Sequence, residues 1–139
     1  MFTEHLHPLS VHFPIAIILV GFLFEVAALL FKKEHCLSKA GFWLMILGTL
    51  AAVTSFFTGE FFSKDLIGPA GDMKEVHEIW AKTTMYFMLG ASAIRIWAVW
   101  TKKDKGFIKW MIFLLYMTGA GLVAYTGFLG GSLVYDYLL

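Results

Sequence analysis

Cysteine and charge are both scarce in this chain of 139 residues. The single cysteine, Cys36, excludes an internal disulfide, a thiolate zinc cluster and the Cys-x-x-Cys-His of covalent haem attachment. Charged types make up 15% of the chain and apolar types 59%. Soluble domains average roughly a quarter charged and half apolar, so the balance leans toward lipid. A net charge of +1, with no Lys/Arg cluster outside short loops, excludes a nucleic-acid partner. The opening Met-Phe-Thr-Glu-His-Leu-His-Pro has no positive n-region and no small-residue cleavage site. The first apolar run therefore reads as a retained span rather than a removed signal peptide.

What the chain does have is four apolar runs. A span needs about 20 apolar residues, and Phe13 to Phe31, Ala40 to Phe62, Ile79 to Trp100 and Phe107 to Val134 all qualify. Glu25 interrupts the first, Glu60 ends the second, Lys82 and Arg95 lie in the third, and Lys109 opens the fourth. No repeat of the inverted-transporter kind is visible. Short links make sequential helices antiparallel neighbours, and the longest, most turn-like link is Ser63 to Met73. Length and pattern predict one domain, residues 1–139. The expected fold class is all-α, an integral membrane up-down four-helix bundle, with spans about 10–31, 40–62, 77–100 and 107–131.

Orientation follows from Lys/Arg placement. Lys32, Lys33, Lys39, Lys102, Lys103, Lys105, Lys109 and Arg95 lie toward one side, and only Lys64, Lys74 and Lys82 toward the other. That puts the lysine-rich side in the cytoplasm and both termini on the non-cytoplasmic side, the periplasm of a bacterial inner membrane. Glu4, Glu60, Asp65, Asp72, Glu75, Glu78 and Asp136 then make the outer face acidic.

Four of the five histidines, His5, His7, His12 and His77, fall at that outer side; His35 sits among lysines and reads as solvated. The first and third helices run the same way, so His12 and His77 start at one depth and can face each other. Neutral imidazole ligates metals well, and ionisable groups at membrane depth are costly enough to be functional by default. Steps of three and four from His77 give Ala81, Thr84, Met88, Ala91 and Arg95, a stripe with room for something flat. The second helix has Gly41, Gly48, Ser55 and Gly59 near a common face. The fourth adds Gly119, Gly121, Gly127, Gly130 and Gly131, with Gly127 and Gly131 in a Gly-x-x-x-Gly pair. Plain helix packing explains any one of these glycines; joined to the paired histidines, they favour a cofactor.

Haem b fits two imidazoles on separate helices of a bundle. The alternative is a non-haem zinc, copper or iron site built from His7, His12, His77 and Glu60. A third reading, of another class, is a non-catalytic membrane subunit or small-molecule channel. Pro8 restrains residue 7 to extended conformations, so the first helix is expected to start at or after Pro8. Pro14 marks the first turn or kinks the helix, freeing the carbonyl of Ser10 near His12. Deeper in the bundle, Glu25 lies about 20 Å beyond His12 and Arg95 about 27 Å beyond His77 by helical rise. An ion pair between them is possible, and a proton path along Glu25 is a secondary reading.

At His7-Pro8-Leu9-Ser10-Val11-His12-Phe13-Pro14-Ile15-Ala16 the chain resembles a bacterial family of small four-helix membrane proteins, domain of unknown function 2231. Thr58-Gly59 followed by Glu60 or Asp65, His77 opening the third helix, and Thr126, Gly127, Gly130, Gly131, Leu133, Val134 and Tyr135 match its further motifs. The resemblance runs from about residue 5 to 137. The chain departs from it at Asp136-Tyr137-Leu138-Leu139, where members often continue His-Gly. The resemblance implies the four-helix fold and, through members joined to Rieske-type or c-type cytochrome modules, a redox setting.

The expected function is that of a membrane-bound b-type cytochrome, carrying electrons near the outer face rather than converting a substrate. His12 and His77 supply the haem ligands, His7 binds a propionate or substitutes as ligand, and Gly127, Gly130 and Gly131 let the fourth helix approach. Expected partners are the lipid bilayer, quinone and a basic periplasmic c-type cytochrome or Rieske protein, with a homodimer through a glycine face as a further option. One layer of histidines argues against an electron wire across the whole membrane.

Overall fold

The computed structural model describes residues 6–63 and 65–137, with side chains from residue 10 onward. The described residues form four α-helices: α1 (Leu6–Leu30), α2 (His35–Phe62), α3 (Pro69–Trp100) and α4 (Gly106–Tyr137). Ser10–Leu30 of α1, all of α2 and all of α4 are long and apolar enough to cross a membrane. At 32 residues α3 has the length as well, but Asp72, Lys74, Glu75, Glu78, Lys82 and Arg95 make it the most polar of the four.

Three helix starts differ from expectation, α2 beginning at His35 rather than near residue 40. The first helix includes Pro8, beginning at Leu6. Proline is tolerated in a first turn because that turn's N–H groups have no intrahelical partner. The third helix begins at Pro69, so the predicted link Ser63 to Met73 ends at Gly68. Gly68 has φ +67°, a backbone glycine adopts readily. Pro69 follows at the first helical position, and the Asp72 N–H donates to the Gly68 carbonyl at 3.1 Å.

The principal interfaces are α1 with α2, α3 with α4, α1 with α4 and α2 with α3, leaving α1 and α3 on a diagonal. Contacts pair early residues of one helix with late residues of the next. Along α1 and α2, Ser10 meets Ser55, Ile18 meets Gly48 and Glu25 meets Gly41. Along α3 and α4, His77 meets Gly130, Thr84 meets Thr126 and Met88 meets Gly119.

The exterior is apolar, unlike that of a water-soluble protein, and several polar groups lie inside. Leu23, Trp43, Leu47, Leu114 and Phe128 are exposed around the outside, while Glu25, Thr49, Ser55, Thr84, Ser92 and Arg95 are buried. In hydrocarbon an apolar exterior costs nothing, and buried polar groups must find one another. The central packing is Ile18, Met45, Met88, Ala91, Tyr116, Ala120 and Val123. Glycines seat the larger side chains: a Cβ on Gly48 would lie 2.5 Å from Ile18 Cγ1, and one on Gly119 would overlap Met88 Sδ. The small-residue stripe of α3 is buried from Thr84 through Arg95, and the room expected beside it for something flat is taken up by packing. Met88 and its neighbours fill the space beside it.

Candidate functional site

His77 is half-buried near the start of α3, eight residues beyond Pro69. Its imidazole lies against α4, where a Cβ on Gly130 would sit 3.1 Å from Cε1. A backbone hydrogen bond joins the ring to Thr126. One helical turn before Gly130, the Thr126 hydroxyl donates to the Leu122 carbonyl at 2.8 Å and shares a 2.9 Å hydrogen bond with the buried Thr84 hydroxyl. Two helices thus hold His77 in place. α3 supplies the ring and Thr84; α4 supplies a glycine wall and a threonine.

The diagonal helix, α1, carries Pro14 inside it, buried. Proline has no N–H to give the carbonyl four residues back, which is that of Ser10. The structure completes this position from α2: the Ser55 hydroxyl donates to the Ser10 carbonyl at 2.9 Å. The Ser10 and Thr58 hydroxyls share a further 2.8 Å bond. The freed carbonyl expected from Pro14 therefore becomes a helix–helix contact.

The other predicted residues are placed as follows. His12 is exposed on α1, Glu60 is exposed near the end of α2, and His35 is exposed at the first residue of α2. Gly127 faces the Ile15 side chain of α1, 2.8 Å from a would-be Cβ, whereas a Cβ on Gly131 would meet nothing within 4 Å among the described residues. His5 and the side chain of His7 lie outside the described residues, as does Glu4. Among the described residues no three His, Cys, Asp or Glu side chains gather as a metal-binding group. Glu60, Asp65, Asp72, Glu75, Glu78 and Asp136 are all exposed, as an acidic face requires.

The opposite end holds a charged cluster. Arg95 Nη2 donates to Glu25 Oε1 at 3.1 Å, with both side chains buried. The same nitrogen reaches Ser38 Oγ at 3.3 Å, and Nη1 reaches Asp104 at 3.4 Å. Gly41 makes room for the acid: a Cβ there would lie 2.5 Å from Glu25 Oε1. The possible ion pair of the sequence is thus a formed and shielded one. Sequence reasoning missed Ser38, Asp104 and Tyr116 here, and Thr126 at the other end. Asp104 was visible as the lone acid in a lysine-rich link. The hydroxyl partners carried no signal, because Ser, Thr and Tyr occur throughout membrane helices.

The His77 ring is held as a haem ligand would need to be: it is anchored on one helix, braced by another and walled by a glycine. Gly130 is placed as expected beside it. His12, exposed on the diagonal helix α1, is not enclosed by protein. The fit to haem is therefore incomplete: His77 is held in place, and no second described histidine is enclosed with it.

Neither the curated proteins nor the solved structures include a match to this chain. The family model described as "Predicted membrane protein (DUF2231)" matches residues 3–139. The apolar exterior, the apolar helices and this match over nearly the whole length agree, and the chain belongs to that family of predicted membrane proteins.

Proposed function

We propose that the protein is a multi-pass electron carrier of the bacterial inner membrane, holding haem b near its outer face. His77 and His12 would hold the haem iron, with His7 at a propionate or as the substitute ligand. Haem b supplies one-electron chemistry when bound. The chain's own residues hold and position: Thr126 and Gly130 orient His77, and the Ser55 bond to Ser10 stiffens α1 just before His12. The observation that carries this reading is the braced, glycine-walled imidazole of His77. All four helices cross in up-down order, supported by the early-with-late pairing of residues at every interface and by the charge excess of the two linker regions on the Lys32 and Lys102 side. Arg95 crosses with α3 because Glu25 neutralises it inside the bundle. The exposed acidic residues of the outer face complement a basic c-type cytochrome or a Rieske partner, and quinone in the bilayer is the other redox partner.

A visible spectrum of the purified protein tests the reading. A Soret band that shifts on dithionite reduction is expected, and His77→Ala is expected to abolish its low-spin form. Loss with His12→Ala as well assigns the second ligand. Retention there, with loss in His7→Ala, moves that ligand to His7. A colourless protein containing zinc, copper or iron would replace haem by a histidine and carboxylate metal site. A colourless, metal-free protein would leave a non-catalytic membrane subunit. Topology has a built-in probe, since Cys36 is the only cysteine and is exposed. A membrane-impermeant thiol reagent should label it from the cytoplasmic side alone.

A further inference from the structure

The buried charges at the far end of the bundle from His77 are arranged for more than a lock between helices. Glu25 on α1 and Arg95 on α3 are in contact at 3.1 Å, and the same guanidinium touches Asp104 at 3.4 Å. Asp104 lies in the link between α3 and α4 with its side chain 21% exposed. One guanidinium therefore joins a carboxylate that meets solvent to a carboxylate that does not.

The remaining neighbours are fully assigned among the described contacts. From α2 come the Ser38 hydroxyl and the backbone of Gly41. From α4 come Lys109, within electrostatic reach of Glu25, and Tyr116. Two cations thus balance two carboxylates when all four are ionised, and a proton on Glu25 leaves a single positive charge.

Two donors in this region are left over. The Tyr116 hydroxyl is buried over Gly21, one helical turn from Glu25, and finds no hydrogen-bond partner among the described residues. Arg95 Nε is likewise buried without one. A purely structural pair in hydrocarbon would have such donors satisfied, because each one left unmade costs about 1–3 kcal/mol. A phenol can both donate and accept. It can donate to an ionised carboxylate and accept from a protonated one, so it suits a neighbour that changes state.

We infer that Glu25, Arg95, Asp104 and Tyr116 form a proton-binding site, at which a proton from solvent at the Asp104 end is taken up by the Glu25 carboxylate and held inside the bundle. The proton comes from hydronium at the Asp104 end, which becomes water, and ends on a Glu25 oxygen, turning that carboxylate into a carboxylic acid while Asp104 and the guanidinium keep their charges. The site is independent of whether haem binds at His77.

Infrared difference spectroscopy of the full chain in lipid nanodiscs, stepped from alkaline to acidic buffer, tests it. The expected result is a carbonyl stretch of a protonated carboxylic acid that exchanges slowly with deuterium and is absent from Glu25→Gln. Carbon-13 labelling of glutamate in the unaltered protein should shift that band, which assigns it to glutamate even if Glu25→Gln does not fold. Tyr116→Phe should move the band's frequency, and Asp104→Asn should move its pH midpoint by about one unit. A band that persists in a folded Glu25→Gln, one that ignores the glutamate label, or no slowly exchanging band at all would overturn the proposal.

Discussion

The two ends of this bundle solve the burial of polar groups in opposite ways. At the Glu25 end, full charges meet across two helices and a link: α1 supplies an acid, α3 a guanidinium, and the link before α4 a second acid. At the His77 end the buried contacts between helices are neutral, and the ion pairs there join Lys74 to the exposed carboxylates of Asp65 and Glu78. Hydroxyls pair with hydroxyls or carbonyls, from Ser10 with Ser55 and Thr58 to Thr84 with Thr126. Each end also places a glycine of one helix against the key side chain of another, Gly41 beneath Glu25 and Gly130 beside His77. The difference teaches that the charged end is a site of high stakes for stability, while the neutral end tolerates adjustment around its histidine. An uncompensated charge in a low-dielectric interior is far more costly than an unmade hydroxyl bond.

Breaking the charged end gives the largest expected effect. Arg95→Met strands a buried carboxylate and should lower unfolding free energy by about 3–5 kcal/mol, read by denaturant titration in detergent. The double variant Glu25→Leu with Arg95→Met should recover most of that loss, because no charge then remains to strand. A neutral single variant would show that the pair does not hold the helices, and the contrast between the ends would collapse.

The glycines compare the ends directly. Gly41→Ala drives a methyl into Glu25, 2.5 Å from Oε1 and 2.9 Å from Cγ, and should cost about 1–3 kcal/mol as overpacking does. At the neutral end, Ser55→Ala removes the partner of the Ser10 carbonyl and should cost about 1 kcal/mol. Pro14→Ala would restore an N–H to that carbonyl, so the two substitutions should be strongly non-additive in a double-mutant cycle. Additive effects would mean that Ser55 does not compensate for the proline.

The smallest change is expected for Gly130→Ala. Its methyl would meet His77 Cε1 at 3.1 Å, a contact that a small ring rotation relieves, so stability should change by no more than about 0.5 kcal/mol. The histidine itself should report the change, as a displaced imidazole resonance in nitrogen-15 spectra of histidine-labelled protein. A loss as large as that of Gly41→Ala would mean that both ends are equally rigid.

Apolar run length, lysine placement and the His-Pro to Pro-Ile-Ala opening determine the number of helices, their bundle class and the family without any coordinates, because they reflect solvent preference, which is a property of residue types in order. The consequence of Pro14 for Ser10 was readable for the same reason: a missing N–H is local. The α3 stripe from Thr84 to Arg95 was readable from helical periodicity. Helix starts at Leu6 and Pro69 were misjudged because proline signals a break or a first turn alike until the rest of the turn is seen. What only the tertiary structure decided is partnership. It made Glu25 and Arg95 a buried pair, set Asp104 and Tyr116 around them, supplied Ser55 to the Ser10 carbonyl, and put the His77 ring against Gly130. Those pairs lie on different helices. Which side chains meet across them depends on helix rotation and register, set by the summed fit of many small contacts that no stretch of sequence carries by itself.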